Sequence, residues 1–480
     1  MNDRKGFGSN FGFLMAAVGS AVGLGNIWGF PNKMGANGGF PFLILYLALA
    51  LCCGVIIMLG ELALGRKAGH GAVGAYQSIS KRFKWLGWLG IAAAALIFSF
   101  YSALGGYCLR YVVVNFGNLI GAGFGTNGVG GADVFQGLLS QPDVSIAFAL
   151  AFMLITMLVV MSGVGGGIER VCSVGMPALF FILIICIIRS CTLPGAADGL
   201  RYMFVPGWAV ANGIIDEAPG FWRVLTAAGG QMFFSLSLGA GVMITYGSYL
   251  DKKQDLGKST MIIVGMDTVV ALMAGLCVIP GRFALDPNGA LGGPELLFIT
   301  MQNVFDKMGP AGPVFGILFY LLVFFAAISS SISMLEVIVA HFCDKAREKG
   351  KGDRRKLYSA IVVVICAALC ALVCADGMGS NHISPAELLG LTGAKLPGWS
   401  TSWLGLFDSV AEGLLMPLGA LFMCLMISWE LKPDALRQEI LLNGENRPWV
   451  YDFFRLCVKY ITPLCMLMIL YGQISDFFIV

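Results

Sequence analysis

The sequence predicts an all-α polytopic membrane protein, one transmembrane domain over residues 1–480, whose first and sixth helices are broken. Three observations predict it. Only 12% of the residues are charged and 57% are hydrophobic, with a mean hydropathy of +0.80. A soluble domain carries roughly 25% charged residues, so this chain has too little polar surface to cover a water-facing globule. Apolar stretches near the ~20 residues that cross a bilayer recur along the whole chain, and two of them are interrupted by similar glycine clusters. The net charge of +3 is small. No basic stripe suits a nucleic acid; the lipid bilayer is the partner implied, and nothing calls for an obligatory protein partner.

Eleven spans follow in order: 10–33, 40–64, 86–118, 144–162, 168–190, 223–249, 258–283, 312–342, 357–375, 403–429 and 450–475. Those longer than 25 residues imply tilt. The first ends on Trp28, Phe30 and Pro31 instead of a small-residue cleavage site, which reads as a retained span and not as a signal peptide. Lysine and arginine concentrate in the connections Arg66 to Lys84, Asp251 to Lys258, Lys345 to Lys356 and Lys432 to Arg447. The alternate loops, such as 120–143 and 376–402, have almost none. This bias sets the N-terminus inside and the C-terminus outside. Short tails and the absence of an Asn-x-Ser/Thr sequon lean toward a prokaryotic inner membrane. Most of the 14 cysteines, among them Cys52, Cys53, Cys366 and Cys370, lie inside apolar runs and read as small hydrophobes, with no structural disulfide expected.

The broken spans carry the chemistry. The first reads Gly19-Ser-Ala-Val-Gly-Leu-Gly-Asn26 and the sixth Ser235-Leu-Ser-Leu-Gly-Ala-Gly241, each at the head of a block of five spans. Glycine lowers the cost of leaving helical geometry, and unwound backbone at membrane depth is tolerated only where it lines a protein cavity. Matching breaks in two halves point to a transporter site at the midplane. Freed carbonyls there can coordinate a cation, and freed N–H groups can hold a carboxylate. Asp267, deep in span seven, needs a partner or a function at that depth, and a buried cation is an adequate partner. Ser329-Ser330-Ser331 in span eight supplies hydroxyls; such hydroxyls commonly bond back to their own helix, but beside the other features they suit a hard cation.

Other chemistries find no footing. His70, His341 and His382 are not spaced as metal ligands. Gly257-Lys258-Ser259 resembles a phosphate loop, but Lys252 stands where its first glycine belongs. No serine, cysteine or histidine grouping suits nucleophilic catalysis, so the chain is not read as an enzyme. With no ATPase motif, the energy source is an ion gradient.

The runs Gly23-Leu-Gly-Asn-Ile-Trp-Gly-Phe-Pro31, Asn37-Gly-Gly-Phe-Pro41, Phe233-Phe-Ser-Leu-Ser-Leu-Gly-Ala-Gly241 and Tyr246-Gly-Ser-Tyr249 resemble the neurotransmitter:sodium symporter family, and the resemblance covers essentially the whole chain. It implies an inverted five-plus-five helix repeat, with repeat one at about 10–190, repeat two at about 223–429 and an extra helix at about 450–475. It also implies sodium-driven uptake of an amino acid by alternating access. The sodium sites it implies are two. The first is formed by the Ala21 carbonyl, Asn26, Ser235 and Asp267, completed by the substrate carboxylate; the second by the carbonyls of Gly19, Val22 and Ala326 with the hydroxyls of Ser329 and Ser330. The substrate carboxylate would meet the N–H groups of Leu24 and Gly25 and the Tyr101 hydroxyl, and its ammonium the carbonyls near Ala21, Phe234 and Ser235. Ile97, Tyr101, Phe234, Ser237, Ala240, Ser330 and Met334 would surround the side chain, with Tyr101 and Phe234 as lid. Ala240 stands where some relatives carry an aromatic ring, which implies room for a hydrophobic or aromatic L-amino acid. Arg4 and Asp344, near Ser248 and Tyr249, resemble an inner gate, and Gly167 with Pro177 a helix-unwinding pair.

Two departures shape the expectations. Asp267 puts a fixed negative charge where many relatives have asparagine, so chloride is not required. The arginine that usually precedes Phe-Pro is Gly29, although Asp408 still matches its aspartate partner. Lys33, four residues on, shares the face of Gly29 if the segment is helical; either it brings its ammonium to Asp408, directly or through water, or it is an interfacial residue and Asp408 is solvated. The competing readings are a proton-coupled transporter of the wider superfamily and a non-transporting amino-acid receptor. Two complete sodium-type oxygen clusters argue against the first, and the lack of an added soluble domain against the second.

Overall fold

The structure is a computed structural model that describes residues 6–478 apart from Gly292, Pro294, Asp353, residues 392–395, Lys432 and residues 442–447. Every regular element among the described residues is helical. Among the described residues, nine helices are long and apolar enough to cross a membrane: α3 (Phe40–Ala68), α4 (Lys81–Ile120), α5 (Pro142–Met161), α6 (Val164–Cys191), α9 (Leu256–Leu285), α10 (Gly309–Glu348), α11 (Arg355–Gly379), α12 (Trp403–Glu430) and α13 (Trp449–Ser475). A tenth crossing is the pair α1 (Asn10–Ala21) and α2 (Gly25–Ala36), bent by 44° between them. The sixth expected span is two pieces, α7 (Phe221–Ser235) and α8 (Val242–Gly247). At 1.5 Å per residue neither piece alone reaches across the ~30 Å core.

The helices overrun the apolar stretches that announce them. α4 starts five residues before the expected Leu86, and α10 runs six residues past the expected Phe342. Hydropathy marks where lipid ends, whereas the i→i−4 ladder continues into the interface wherever the residues tolerate it.

The breaks have different local causes. α1 carries straight through Gly19 and ends when Val22 turns extended (φ −73°, ψ 97°). At Gly23 the requirement is space: a Cβ would lie 2.2 Å from Ser330 Oγ and 2.4 Å from Tyr101 OH. The second break runs from Leu236 to Gly241 and needs left-handed backbone at Ser237, Gly239 and Gly241 (φ 53°, 79° and 73°). At Gly239 both demands coincide, because a Cβ would also meet the Met416 carbonyl at 2.2 Å.

The broken helices occupy the centre. α1 packs on α6, α9 and α10; α7 and α8 pack on α3, and α8 also on α10, which lies along α4. Large apolar side chains face outward on α5, α6 and α11, among them Leu158, Phe181 and Val364. That is the surface a bilayer covers, and it leaves the polar groups of the two breaks enclosed by helices.

Candidate functional site

Two clusters of oxygen atoms meet at the breaks. The first is built on Asp267, which α9 holds at 0% exposure. Its carboxylate accepts from Asn26 Nδ2 at 2.7 Å, from Ser235 Oγ at 2.9 Å and from Tyr46 OH at 3.3 Å. Asn26 works in both directions: its Oδ1 accepts the Gly23 N–H at 3.0 Å, an orphan donor at the restart of the helix. Ala21 ends α1 immediately before the break and is buried. Among the described residues no lysine, arginine or histidine forms an ion pair with Asp267. A carboxylate buried without a cation is costly, and neutral hydroxyl and amide donors offset that only in part.

The second cluster has no charge. Ser329 Oγ lies within bonding distance of the carbonyls of Val22 (3.4 Å), Phe325 (3.2 Å) and Ala326 (3.0 Å). Ser330 Oγ lies near those of Gly19 (3.4 Å) and Ser20 (3.1 Å). Each hydroxyl has one proton to donate, so two protons face five carbonyl oxygens. That surplus of acceptors, partly freed by the end of α1, is the donor set a hard cation prefers.

Between the clusters lies the group of residues assigned to a substrate. The Leu24 N–H donates to Tyr101 OH at 2.7 Å, and the Tyr101 and Phe234 rings stand 6.3 Å apart at 57°. Gly25 abuts Phe234, where a Cβ would lie 2.9 Å from the ring. Ile97 and Tyr101 are one turn apart on α4, as are Ser330 and Met334 on α10, and all four are buried. Ser237 Oγ is spent on the Ser20 carbonyl at 3.0 Å. The Ala240 backbone packs against Gly90, two turns along α4 from Ile97.

Of the gate residues, Lys33 has a different partner from the one expected. Arg4 lies outside the described residues. Asp344 accepts the Gly71 N–H at 3.0 Å and stands 4.0 Å from Arg347. Ser248 donates to the Thr245 carbonyl at 2.6 Å. Tyr249 OH donates to Glu336, which is paired with Arg355. Phe7 packs edge-on against Tyr246 and Tyr249, while Gly8 and Ser9 donate to Glu169 at 2.7 and 2.9 Å. Gly167 sits in a π-helical turn at the head of α6 and Pro177 inside that helix. On the other side, Lys33 pairs with Glu412 and not with Asp408. Glu412 is the more buried carboxylate, at 6% exposure, and has the greater need of a counter-charge; Asp408 stands one turn away, beside both.

Several partners escaped sequence reasoning. Glu61 on α3 is 1% exposed and accepts the Gly239 N–H at 2.7 Å, capping the second break. Its signal, a carboxylate in the apolar run 55–64, was the same as that of Asp267. Gln231 Nε2 donates to the Gly25 carbonyl at 2.6 Å and so ties α7 to the first break. Tyr46 gave no signal, being one aromatic among many in an apolar span.

The chain resembles known transporters. The model of the sodium:neurotransmitter symporter family matches residues 4–122 and 133–478. An uncharacterized sodium-dependent transporter of Bacillus subtilis (strain 168), YhdH, is 36% identical over 97% of this chain and 97% of its own length. A similar protein of Haemophilus influenzae is 29% identical, again over 97% of both chains. The crystal structure of MhsT in complex with L-phenylalanine superposes with a TM-score of 0.83 at 34% identity, covering 98% of this chain and 100% of that one. This fold is therefore the family's inverted five-plus-five repeat with broken helices 1 and 6. With the family model spanning nearly every residue, the chain belongs to the sodium:neurotransmitter symporter family and is a multi-pass, sodium-dependent transporter.

Proposed function

We propose that this chain is a symporter that couples two sodium ions to the uptake of a neutral, hydrophobic or aromatic L-amino acid. The observation that carries the reading is the Asp267 carboxylate. It is fully buried between both helix breaks and is surrounded by neutral donors. In this reading sodium site one comprises Ala21, Asn26, Ser235 and Asp267, and site two comprises Gly19, Val22, Ala326, Ser329 and Ser330. An amino-acid carboxylate takes the Leu24 and Gly25 N–H groups and the Tyr101 hydroxyl, and completes the first sodium shell. Substrate and sodium then bind as one unit, and by linkage each raises the affinity of the other.

The side-chain preference rests on chemistry near the breaks. Ile97, Phe234, Ala240 and Met334 are apolar, and the two carboxylates near them, Asp267 and Glu61, are each engaged by donors of the helix breaks, which leaves neither to pair with a basic substrate. The relative MhsT binds L-phenylalanine, which supports a large apolar side chain here. Chloride is not required, because Asp267 already balances the charge of the first sodium. Residues of about 10–190 and 223–429 act as the two repeats and rock about the fixed site. The N-terminus is cytoplasmic, the C-terminus is outside, and the membrane is a bacterial inner membrane.

The test is uptake of a panel of labelled amino acids into proteoliposomes, with an inward sodium gradient and with choline in its place. Sodium-dependent accumulation of phenylalanine, leucine, isoleucine or methionine is expected. Equal uptake in choline, or accumulation of glycine or glutamate above all of these, contradicts the reading.

A further inference from the structure

We infer that the outer side of this transporter is latched by an ion pair between Lys33 and Glu412, which does the work of the arginine–aspartate pair its family resemblance implies; the inference rests on the symport reading above. The pair joins α2, the outer half of the first broken span, to α12. It sits against the second broken span as well: a Cβ on Gly230 of α7 would lie 2.6 Å from Glu412 Oε1 and 3.0 Å from Gln473 Nε2 of α13. Gly230 is one turn before Phe234, whose ring pairs with Tyr101. The latch therefore stands one turn of α7 from those rings and touches three helices, α2, α7 and α12.

Two local features built it. Residues Ala411–Leu415 form a π-helical turn in α12. The extra residue in such a turn re-aims side chains, and these turns concentrate at functional positions; here it carries Glu412. The space of the missing arginine is also taken, since a Cβ on Gly29 would lie 2.9 Å from Gln231 Oε1, while the other atom of that amide holds the Gly25 carbonyl. The cation has moved one turn outward to Lys33, and its carboxylate one turn along α12 from Asp408 to Glu412.

A buried carboxylate keeps its charge cheaply only while its cation is present or water can reach it. The Lys33–Glu412 contact is accordingly favoured when α2, α7 and α12 are closed together, and water replaces it when they part. Asp408, one turn from Glu412 and beside both groups, offers Lys33 a second acceptor. The pair then biases a two-state opening and leaves the sodium and substrate contacts alone.

The test uses the full chain in proteoliposomes with labelled L-phenylalanine and L-leucine. Lys33→Met and Glu412→Gln are each expected to slow sodium-driven uptake about tenfold, the size of a moderate coupling between two sites. Equilibrium sodium-dependent binding in detergent should stay within about threefold of the parent. The exchanged double variant, Lys33→Glu with Glu412→Lys, should recover most of the rate. Single variants that transport like the parent, or an exchanged variant no faster than the singles, overturn the latch. Should the Glu412 variants fail to fold, Lys33→Arg against Lys33→Met decides: arginine keeps the rate and methionine loses it, and equal rates overturn the proposal. A parent that binds these amino acids equally without sodium fails the symport reading instead, a result visible before any variant is made.

Discussion

The cluster around Asp267 and the cluster around Ser329 are both made of oxygen, both lie where α1 ends, and both are buried, yet they differ in charge. The first sets one carboxylate among an amide and two hydroxyls. The second sets two hydroxyls among five carbonyls. The physics of the two differs accordingly. A fixed charge in low dielectric dominates everything within a few ångströms, so the first cluster is an electrostatic site whose balance any charge change upsets. The second holds a cation through dipoles and geometry, and losing one ligand weakens it by a fraction. The charged cluster is also the one an amino-acid carboxylate can join, which makes it the point of coupling.

The largest effect expected is that of Asp267→Asn, which removes the charge but keeps the shape. Sodium-dependent binding should weaken by about a hundredfold, in line with breaking one partner of a buried ionic contact. Chloride should restore part of it, because the donors on Asn26, Ser235 and Tyr46 that now serve Asp267 would face an anion. In the parent, exchanging chloride for gluconate should change nothing; a chloride requirement there would erase the contrast between the clusters. Sodium titrations with and without chloride measure both.

Ser329→Ala comes next. Deleting one neutral ligand should raise the sodium concentration for half-maximal uptake by about tenfold, with no chloride response. A loss as deep as that of Asp267→Asn would mean that the neutral cluster is the coupling site, reversing the comparison.

Ala240→Phe should act on selectivity more than on sodium. A ring at this position should disfavour large substrates; at about 0.8 kcal/mol per CH₂ displaced, the preference for phenylalanine over alanine should shrink by about tenfold in competition assays. An unchanged ranking would place the side-chain pocket elsewhere.

Much of the fold was legible because lipid imposes a simple rule on sequence. All eleven apolar stretches became helices or pairs of helix pieces, and the overruns at Lys81 and Glu348 lie where the rule stops applying. The breaks were legible as glycine clusters, but their exact residues were not. Gly19 belongs to α1 and is a close contact, with its Cβ position 3.2 Å from Ser329 Cβ. The chain actually turns at Val22, whose side chain says nothing of it. Partners distant in sequence were the least legible. Glu61 to Gly239, Gln231 to Gly25 and Lys33 to Glu412 each join residues brought together only by packing. The lysine was visible from the sequence, but which of two carboxylates one turn apart would receive it depended on a π-helical turn that no hydropathy pattern announces.

The central claim is that substrate and sodium complete one shell at Asp267. Equilibrium binding of labelled L-phenylalanine to the purified transporter, titrated with sodium at constant ionic strength set by choline, tests it most directly. The account predicts that phenylalanine affinity rises steeply with sodium, and that sodium affinity rises by the same factor with phenylalanine, as linkage demands. The same phenylalanine affinity in choline and in sodium would contradict it.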